Sequence, residues 1–283
     1  MTADLRATFP GLLPRVLTAL VGIPLILVAD WQGGIWWEGL IAAIVIVGAH
    51  EFGWLHPGLS AVARWVTIAG ALVLAASIVA VENRAVVMSL VFVGSVVLAA
   101  AVVAHLRAPV DQGVAVWPRW ATALLGALYL GLPGGVLIRW RLEEEARVQI
   151  APYAAIVWLF VTLWANDTTA YFVGLAAGRR RLAPRISPGK SWEGAVAGAV
   201  VATVTAAVGS VALGVPLWTG AVLGAAVSVT SQAGDFFKSS IKRRAGVKDT
   251  GTILPGHGGV IDRFDGLLAA SPIVYLLIRL YGR

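Results

Sequence analysis

The sequence contains no cysteine and few charged residues. The absence of cysteine excludes disulfides, thiolate zinc sites, iron–sulfur clusters and a cysteine nucleophile. Charged residues make up 13% of the chain, against about 25% in soluble domains. Hydrophobic residues make up 58% of the 283 residues, which is more apolar surface than a water-soluble fold of this length can bury. The composition therefore predicts that part of the surface faces lipid.

The apolar residues form long runs of roughly 20 residues, the length of a helix that crosses a bilayer. Runs this long and uniform exclude the strands of a membrane barrel. The predicted fold is an all-α polytopic membrane protein with about nine transmembrane helices. The predicted spans are 12–29, 35–55, 62–81, 85–105, 119–140, 151–175, 193–213, 217–236 and 264–281. Glycine and alanine are abundant in the sixth to eighth spans, which we therefore expect to form the packed centre.

Lysine and arginine are unevenly distributed between the two sides that these spans define. With a cytoplasmic N-terminus, 16 of the 22 fall on the cytoplasmic side and 6 on the outer side. This asymmetry predicts a multi-pass protein of the cell (inner) membrane with its N-terminus in the cytoplasm. The net charge of +7 then reflects topology and anionic lipids rather than nucleic acid. The acidic run Glu143–Glu145 is predicted to lie in a solvated outer loop.

Two clusters of polar residues occur in the sixth span and in the loop that follows it. Asn166 and Asp167 lie within the sixth span, where a buried carboxylate requires a partner or water. Asn166 fits a hydrogen bond between helices, whereas Asp167 is a candidate functional residue. Lys190 and Ser191 precede the start of the seventh span, where free N–H groups favour an anion. Lys190 is therefore a candidate phosphate contact, although its spacing is not that of a Walker A loop.

The third polar cluster, residues 231–266, combines four carboxylates with many cations. Its carboxylates are Asp235, Asp249, Asp262 and Asp265, and its cations include Lys238, Lys242, Arg243, Arg244, Lys248 and Arg263. Asp235, Ser239 and Lys242 share one face of a helix. Oxygen ligands without thiols suit Mg²⁺ or Mn²⁺, and the surplus of cations suits phosphate. The glycines around His257 leave backbone N–H groups free for phosphate oxygens.

This third cluster resembles the signature of bacterial phosphatidate cytidylyltransferases, also called CDP-diglyceride synthases. All 27 positions of the pattern match, from Ser239 to Asp265. The matching residues are Ser239, Ile241, Lys242-Arg243, Lys248-Asp249, Gly251, Leu254, Pro255, His257-Gly258-Gly259, Val260, Asp262-Arg263, Phe264 and Asp265. With the two upstream clusters, the resemblance extends over residues 165–266.

The resemblance implies a membrane enzyme that condenses CTP with phosphatidic acid into CDP-diacylglycerol and pyrophosphate, for phospholipid biosynthesis. It also implies a homodimer, Mg²⁺ and a second, monovalent ion such as K⁺, at a site that faces the cytoplasm. By motif position, Asp235 and Asp262 are the metal ligands, and Lys242, Arg243 and Asp265 belong with them to the catalytic group. The substrate-binding residues are then Asp167, Lys190, Ser191, Ser239, Lys248, Asp249, His257, Gly258, Gly259 and Arg263.

The residues of the three clusters also suit this chemistry. A phosphate monoester already carries an ionised oxygen at neutral pH, so the reaction needs neither a serine nucleophile nor a histidine base. One alternative is a CTP-dependent kinase of a polyprenol or phytol-type lipid, in which Asp167 would act as base. The other is a transporter, which is less favoured because no internal repeat pairs the two halves.

We divide the chain into N-terminal scaffold helices (1–150), which would also hold dimer contacts, and a catalytic membrane domain (151–283). Glu51 is an exception to the low charge of the first five spans. An ionisable group at membrane depth is a candidate functional residue, and snorkelling to water at the end of the second span is the alternative.

Overall fold

The structure, a computed structural model, describes residues 12–108, 116–146, 151–254, 256 and 258–281. Over these residues the chain forms nine helices and one antiparallel pair of short strands. The helices are α1 (Leu12–Gln32), α2 (Gly34–Trp54), α3 (Ala61–Ala80), α4 (Arg84–Arg107), α5 (Arg119–Glu145), α6 (Ala154–Ala177), α7 (Trp192–Ala212), α8 (Leu217–Arg244) and α9 (Ile261–Tyr281). The strands are β1 (Arg181–Ala183) and β2 (Ser187–Ser191), which form a hairpin between α6 and α7.

Seven of the described helices, α2 to α7 and α9, are long and apolar enough to cross a membrane. The predicted helical fold with several apolar spans is therefore confirmed. α8 continues to Arg244, beyond the predicted end at 236. The charged residues after position 236 end the apolar run but do not break the helix. Basic residues also stabilise the last turn of a helix. α9 begins at Ile261, earlier than predicted, so Asp262 lies in its first turn.

The most enclosed of the seven apolar helices is α5, which is not one of the helices that we expected at the centre. In its apolar stretch 72% of the residues are buried, against 28% in α7. Small residues do allow α7 to approach α6 closely, since a Cβ on Gly194 would meet the carbonyl oxygen of Ala170. They do not enclose α7, however, because its other face presents exposed valines such as Val200 and Val204.

The acidic run at the end of α5 is helical and is part of a partly buried ion-pair network, so the prediction of a solvated loop is wrong. We call this set of residues the distal network: Asp30, Arg139, Arg141, Glu143, Glu144, Glu145 and Arg279. Its ion pairs join α5 to α1 and α9, with nitrogen–oxygen distances between 2.6 and 3.3 Å. The acidic residues continue the helix because each finds a basic partner one turn away or on a neighbouring helix.

We expect Asp30→Ala to lower the free energy of unfolding by about 1–3 kcal/mol, because it leaves the buried Arg141 with Glu145, a more exposed residue, as its remaining acidic partner. The side chains of Asp30 and Arg141 are 1% and 3% exposed, and their Oδ1 and Nε atoms are 3.1 Å apart. Equilibrium unfolding in mixed micelles measures the change. Glu82→Ala, at an exposed position before α4, is the control. Equal losses in the two variants would contradict a structural role for the pair.

Candidate active site

One cavity of about 760 Å³ lies where α6, the hairpin, α8 and the start of α9 meet. Seven of the predicted site residues line it: Asp167, Lys190, Ser191, Asp235, Asp262, Arg263 and Asp265. It is also lined by polar residues that the sequence analysis did not assign to the site, including Asn166, Arg181, Ser231, Gln232 and Lys238. The structure thus brings together residues that are up to about 100 positions apart in the chain.

Three carboxylates converge on the ammonium group of Lys238. Its Nζ lies 2.9 Å from Asp235 Oδ1, 2.8 Å from Asp265 Oδ2 and 4.0 Å from Asp262 Oδ1. We call the three aspartates the acidic triad. Gly234 allows α8 and α9 to approach closely at this level, since a Cβ there would lie 2.9 Å from the backbone oxygen of Asp265. Close packing of the two helices therefore assembles the triad.

The hairpin brings a second ammonium group to the triad. Lys190 Nζ lies 2.6 Å from Asp235 Oδ2 and 4.6 Å from the ring centre of Phe236. The next residue, Ser191, caps α7 by accepting a hydrogen bond from Gly194 N at 3.2 Å. Because β2 ends directly at this cap, the position of Lys190 is tied to the start of α7.

Both carboxylate oxygens of Asp262 accept hydrogen bonds. Oδ1 accepts from Lys242 Nζ at 2.6 Å. Oδ2 accepts from Thr250 N at 2.7 Å, Thr250 Oγ1 at 3.0 Å and Gly259 N at 3.2 Å. The helix start and the loop thus supply donors that stabilise the ionised carboxylate. The N–H group of Gly259, which we expected to be free for phosphate, is used here by Asp262.

Glu51 of α2 lies behind the loop and is 2% exposed. Its Oε1 accepts from Val260 N at 2.8 Å, and its Oε2 accepts from Ile261 N at 3.0 Å and Thr250 Oγ1 at 3.1 Å. The carboxylate therefore does not snorkel to water but binds the first turn of α9.

Asn166 and Asp167 occupy the α6 wall of the cavity. Asn166 is fully buried, and its Nδ2 donates to Asp167 Oδ1 at 2.9 Å and to Ser231 Oγ at 3.5 Å. Asn166 therefore links α6 to α8, in agreement with the expected role in helix contact. Asp167 is exposed at the cavity wall.

A family model described as the cytidylyltransferase family matches residues 13–281. The chain belongs to the cytidylyltransferase family. It is 33% identical to a phosphatidate cytidylyltransferase of Brucella abortus over 271 residues, which cover 93% of this chain and 91% of the relative. It is 37% identical to the Pseudomonas aeruginosa protein of the same name over 276 residues, or 93% and 96% of the two chains. A Bacillus subtilis relative, also of that name, is 38% identical over 160 residues, or 56% and 58%. The resemblance found in the sequence is confirmed.

The carboxylates of this cytidylyltransferase fit a hard cation. The acidic triad surrounds a positive charge, that of Lys238, and carboxylate oxygens are the donors that Mg²⁺ prefers. Among the described residues, however, no three His, Asp or Glu side chains already form a metal-binding group. Mg²⁺ commonly takes one or two carboxylates and completes its coordination with substrate phosphates and water. The triad fits that type of site rather than a site made of protein ligands alone.

Several residues predicted for the cytidylyltransferase site do not line the cavity. Lys242 contacts Asp262, as described above, and the exposed Arg243 donates from Nε to Ile186 O at 3.4 Å, which links α8 to the hairpin. The remaining ones lie on α8 (Ser239) and on the loop between α8 and α9 (Lys248, Asp249, Gly258 and Gly259). His257 lies outside the described residues.

Lys238 is the main residue that the sequence analysis missed. It was counted only among the cations of the third polar cluster, although it follows Asp235 by three positions on a predicted helix, which places the two on one face. That spacing was the available signal. Thr250 had no comparable signal, because its contacts depend on the path of the loop before α9.

Proposed function

We propose that this cytidylyltransferase transfers the cytidylyl group of CTP to phosphatidic acid and releases pyrophosphate. The observation that carries the proposal is the convergence of the acidic triad with Lys190, Lys238 and Lys242 at one end of a bundle of apolar helices. Such a place suits a reaction between a water-soluble nucleotide and a lipid headgroup. Relatives that align with 93% of the chain are named for this activity.

The reaction joins two phosphates and needs no general base. An oxygen of the phosphatidic acid headgroup attacks the α-phosphorus of CTP and forms a new phosphorus–oxygen bond. The bond from the α-phosphorus to the bridging oxygen breaks, and its electron pair leaves with pyrophosphate. The attacking oxygen is already ionised, since the second pKa of a phosphate monoester is about 6. Catalysis then consists of positioning two anions and neutralising their charge.

The side chains in the cavity, together with Lys242 beside it, divide this work between them. Lys190 approaches from the hairpin and Lys238 and Lys242 from α8, so ammonium donors are available on two sides of the phosphates. Arg181 and Arg263 add positive charge to the cavity wall. The Asp235 and Asp262 carboxylates would hold Mg²⁺, with Mn²⁺ as the alternative and K⁺ as a second ion. When bound, Mg²⁺ would supply further positive charge for the phosphates.

We also propose that the cavity faces the cytoplasm, where CTP is available. The distribution of lysine and arginine supports this orientation, with the site at the end rich in basic residues and the distal network at the other. Tyr171 and Leu175 of α6 line the cavity and are 66% and 74% exposed. An apolar opening of this kind suits a lipid that arrives from within the bilayer. The homodimer rests on the family resemblance.

We expect purified protein in micelles to release one pyrophosphate per CDP-diacylglycerol formed. Release should require CTP, phosphatidic acid and Mg²⁺ together, and EDTA should abolish it until Mg²⁺ is restored. Chromatography of the lipid products together with a pyrophosphate assay measures both. A Glu82→Gln variant, altered at an exposed position, should match the wild type. Formation of a lipid phosphate with CDP would instead identify a lipid kinase, and the absence of nucleotide turnover would contradict an enzyme acting on CTP.

A further inference from the structure

Glu51 occupies an unusual position for a carboxylate in an apolar helix. It lies near the end of α2, is almost completely buried, and points at backbone N–H groups of another helix 209 and 210 positions later in the chain. Burying a carboxylate is costly unless hydrogen bonds compensate for lost water. Here the compensation comes from Val260 N and Ile261 N, which belong to the positive end of the α9 dipole.

Next to the Glu51 carboxylate, the loop before α9 has room only for glycine at positions 251 and 259. A Cβ on Gly259 would overlap the Glu51 carboxylate and Thr250 Oγ1. A Cβ on Gly251 would lie 2.7 Å from Glu51 Oε1. These two glycines therefore allow the carboxylate to reach the backbone N–H groups at the start of α9, which explains two of the glycines in this segment.

Thr250 connects Glu51 to the acidic triad. Its hydroxyl lies 3.1 Å from Glu51 Oε2 and 3.0 Å from Asp262 Oδ2, so its single proton is shared between the two carboxylates. Its backbone N–H also donates to Asp262 Oδ2 at 2.7 Å. With Oδ2 held in this way, Asp262 presents Oδ1 towards Lys242 and Lys238.

We infer that Glu51 is a positioning residue that acts through Thr250 and the first turn of α9 to orient the carboxylate of Asp262. The inference rests on the proposed function, because it assumes that Asp262 holds a divalent cation. Glu51 does not line the cavity, so its effect on a bound cation would be indirect. Replacing a residue that orients a metal ligand through hydrogen bonds typically lowers metal affinity or activity by about 10- to 100-fold.

The test compares Glu51→Gln with the wild type, using Mn²⁺ as an EPR-visible probe in micelles. Glutamine keeps the shape but turns an NH₂ group towards N–H donors, so we expect Mn²⁺ affinity to fall about tenfold or more. The kcat should fall by a similar factor, while the KM for CTP changes less than threefold. Glu38→Gln, on the same helix about 20 Å away, is the matched control and should behave as wild type.

Two variants of Thr250 separate positioning from folding. Thr250→Val removes the shared hydroxyl at nearly constant volume and should also weaken Mn²⁺ binding, whereas Thr250→Ser retains the hydroxyl and should restore it. Unchanged Mn²⁺ affinity in both Glu51→Gln and Thr250→Val, or no Mn²⁺ binding even by the wild type, would overturn the inference. Intact Mn²⁺ binding by a wild-type protein that forms no CDP-diacylglycerol would instead overturn the proposed function alone.

Discussion

Asp262→Asn should lower kcat for pyrophosphate release by roughly 10²- to 10³-fold. The substitution removes the negative charge and turns an amide NH₂ group towards at least one of the donors that now bind the carboxylate, which come from Lys242, Thr250 and Gly259. Single-turnover assays at saturating CTP measure the loss. The shape of the side chain is nearly unchanged, so the protein should remain folded.

The control for Asp262→Asn is Glu82→Gln, which removes one negative charge at an exposed position and should keep wild-type activity. An Asp262→Asn protein that is folded and retains a third or more of the wild-type kcat would contradict our assignment of Asp262 to the catalytic group.

Lys238→Met should reduce activity about 100-fold and also lower the free energy of unfolding by about 3–5 kcal/mol. Methionine fills similar space but leaves Asp235 and Asp265 close together without the ammonium that now separates them. Because a divalent cation would compensate the same charges, added Mg²⁺ should recover part of the stability. Unfolding in mixed micelles at several Mg²⁺ concentrations measures both effects.

A suitable control for Lys238→Met is Arg107→Met, which removes an exposed cation at the end of α4. It should alter neither activity nor the response to Mg²⁺. Wild-type stability and activity in Lys238→Met would show that the cation shared by the triad is dispensable.

The helical framework was predictable because apolar runs of membrane-spanning length can satisfy their backbone only as helices. The ends of the helices were harder to predict. The run Glu143–Glu145 looked like a loop from its charge, but Arg139, Arg141 and Arg279 neutralise it within the fold. The hairpin was also missed, since strands of three and five residues give almost no periodic signal.

The candidate site was partly predictable, because aspartates and lysines in an apolar chain are costly and therefore informative. Their grouping within residues 231–266 indicated a phosphate site before any contact was known. The contacts themselves depend on how α8 packs against α9 and how the loop between them folds back. For that reason the contacts of Lys238 with the triad were found only in the structure, and Glu51 was a candidate without a known partner.

The fold separates two clusters of charge that stand at opposite ends of α9. Asp262 and Arg279 are about 25 Å apart along this helix, one in the acidic triad and the other in the distal network. The distal network pairs most of its charges within the protein, which suits a structural role. The triad, Lys190 and Lys238 instead line an open cavity, where a substrate can reach their charges.

The most direct test of cytidylyl transfer at the acidic triad follows the label of radioactive CTP into lipid. With [α-³²P]CTP and phosphatidic acid, the wild type should incorporate label into CDP-diacylglycerol, and Asp235→Ala should incorporate almost none while staying folded. With [γ-³²P]CTP, the label should leave as pyrophosphate. Transfer of the γ-label to lipid, or undiminished α-labelling by Asp235→Ala, would contradict the account.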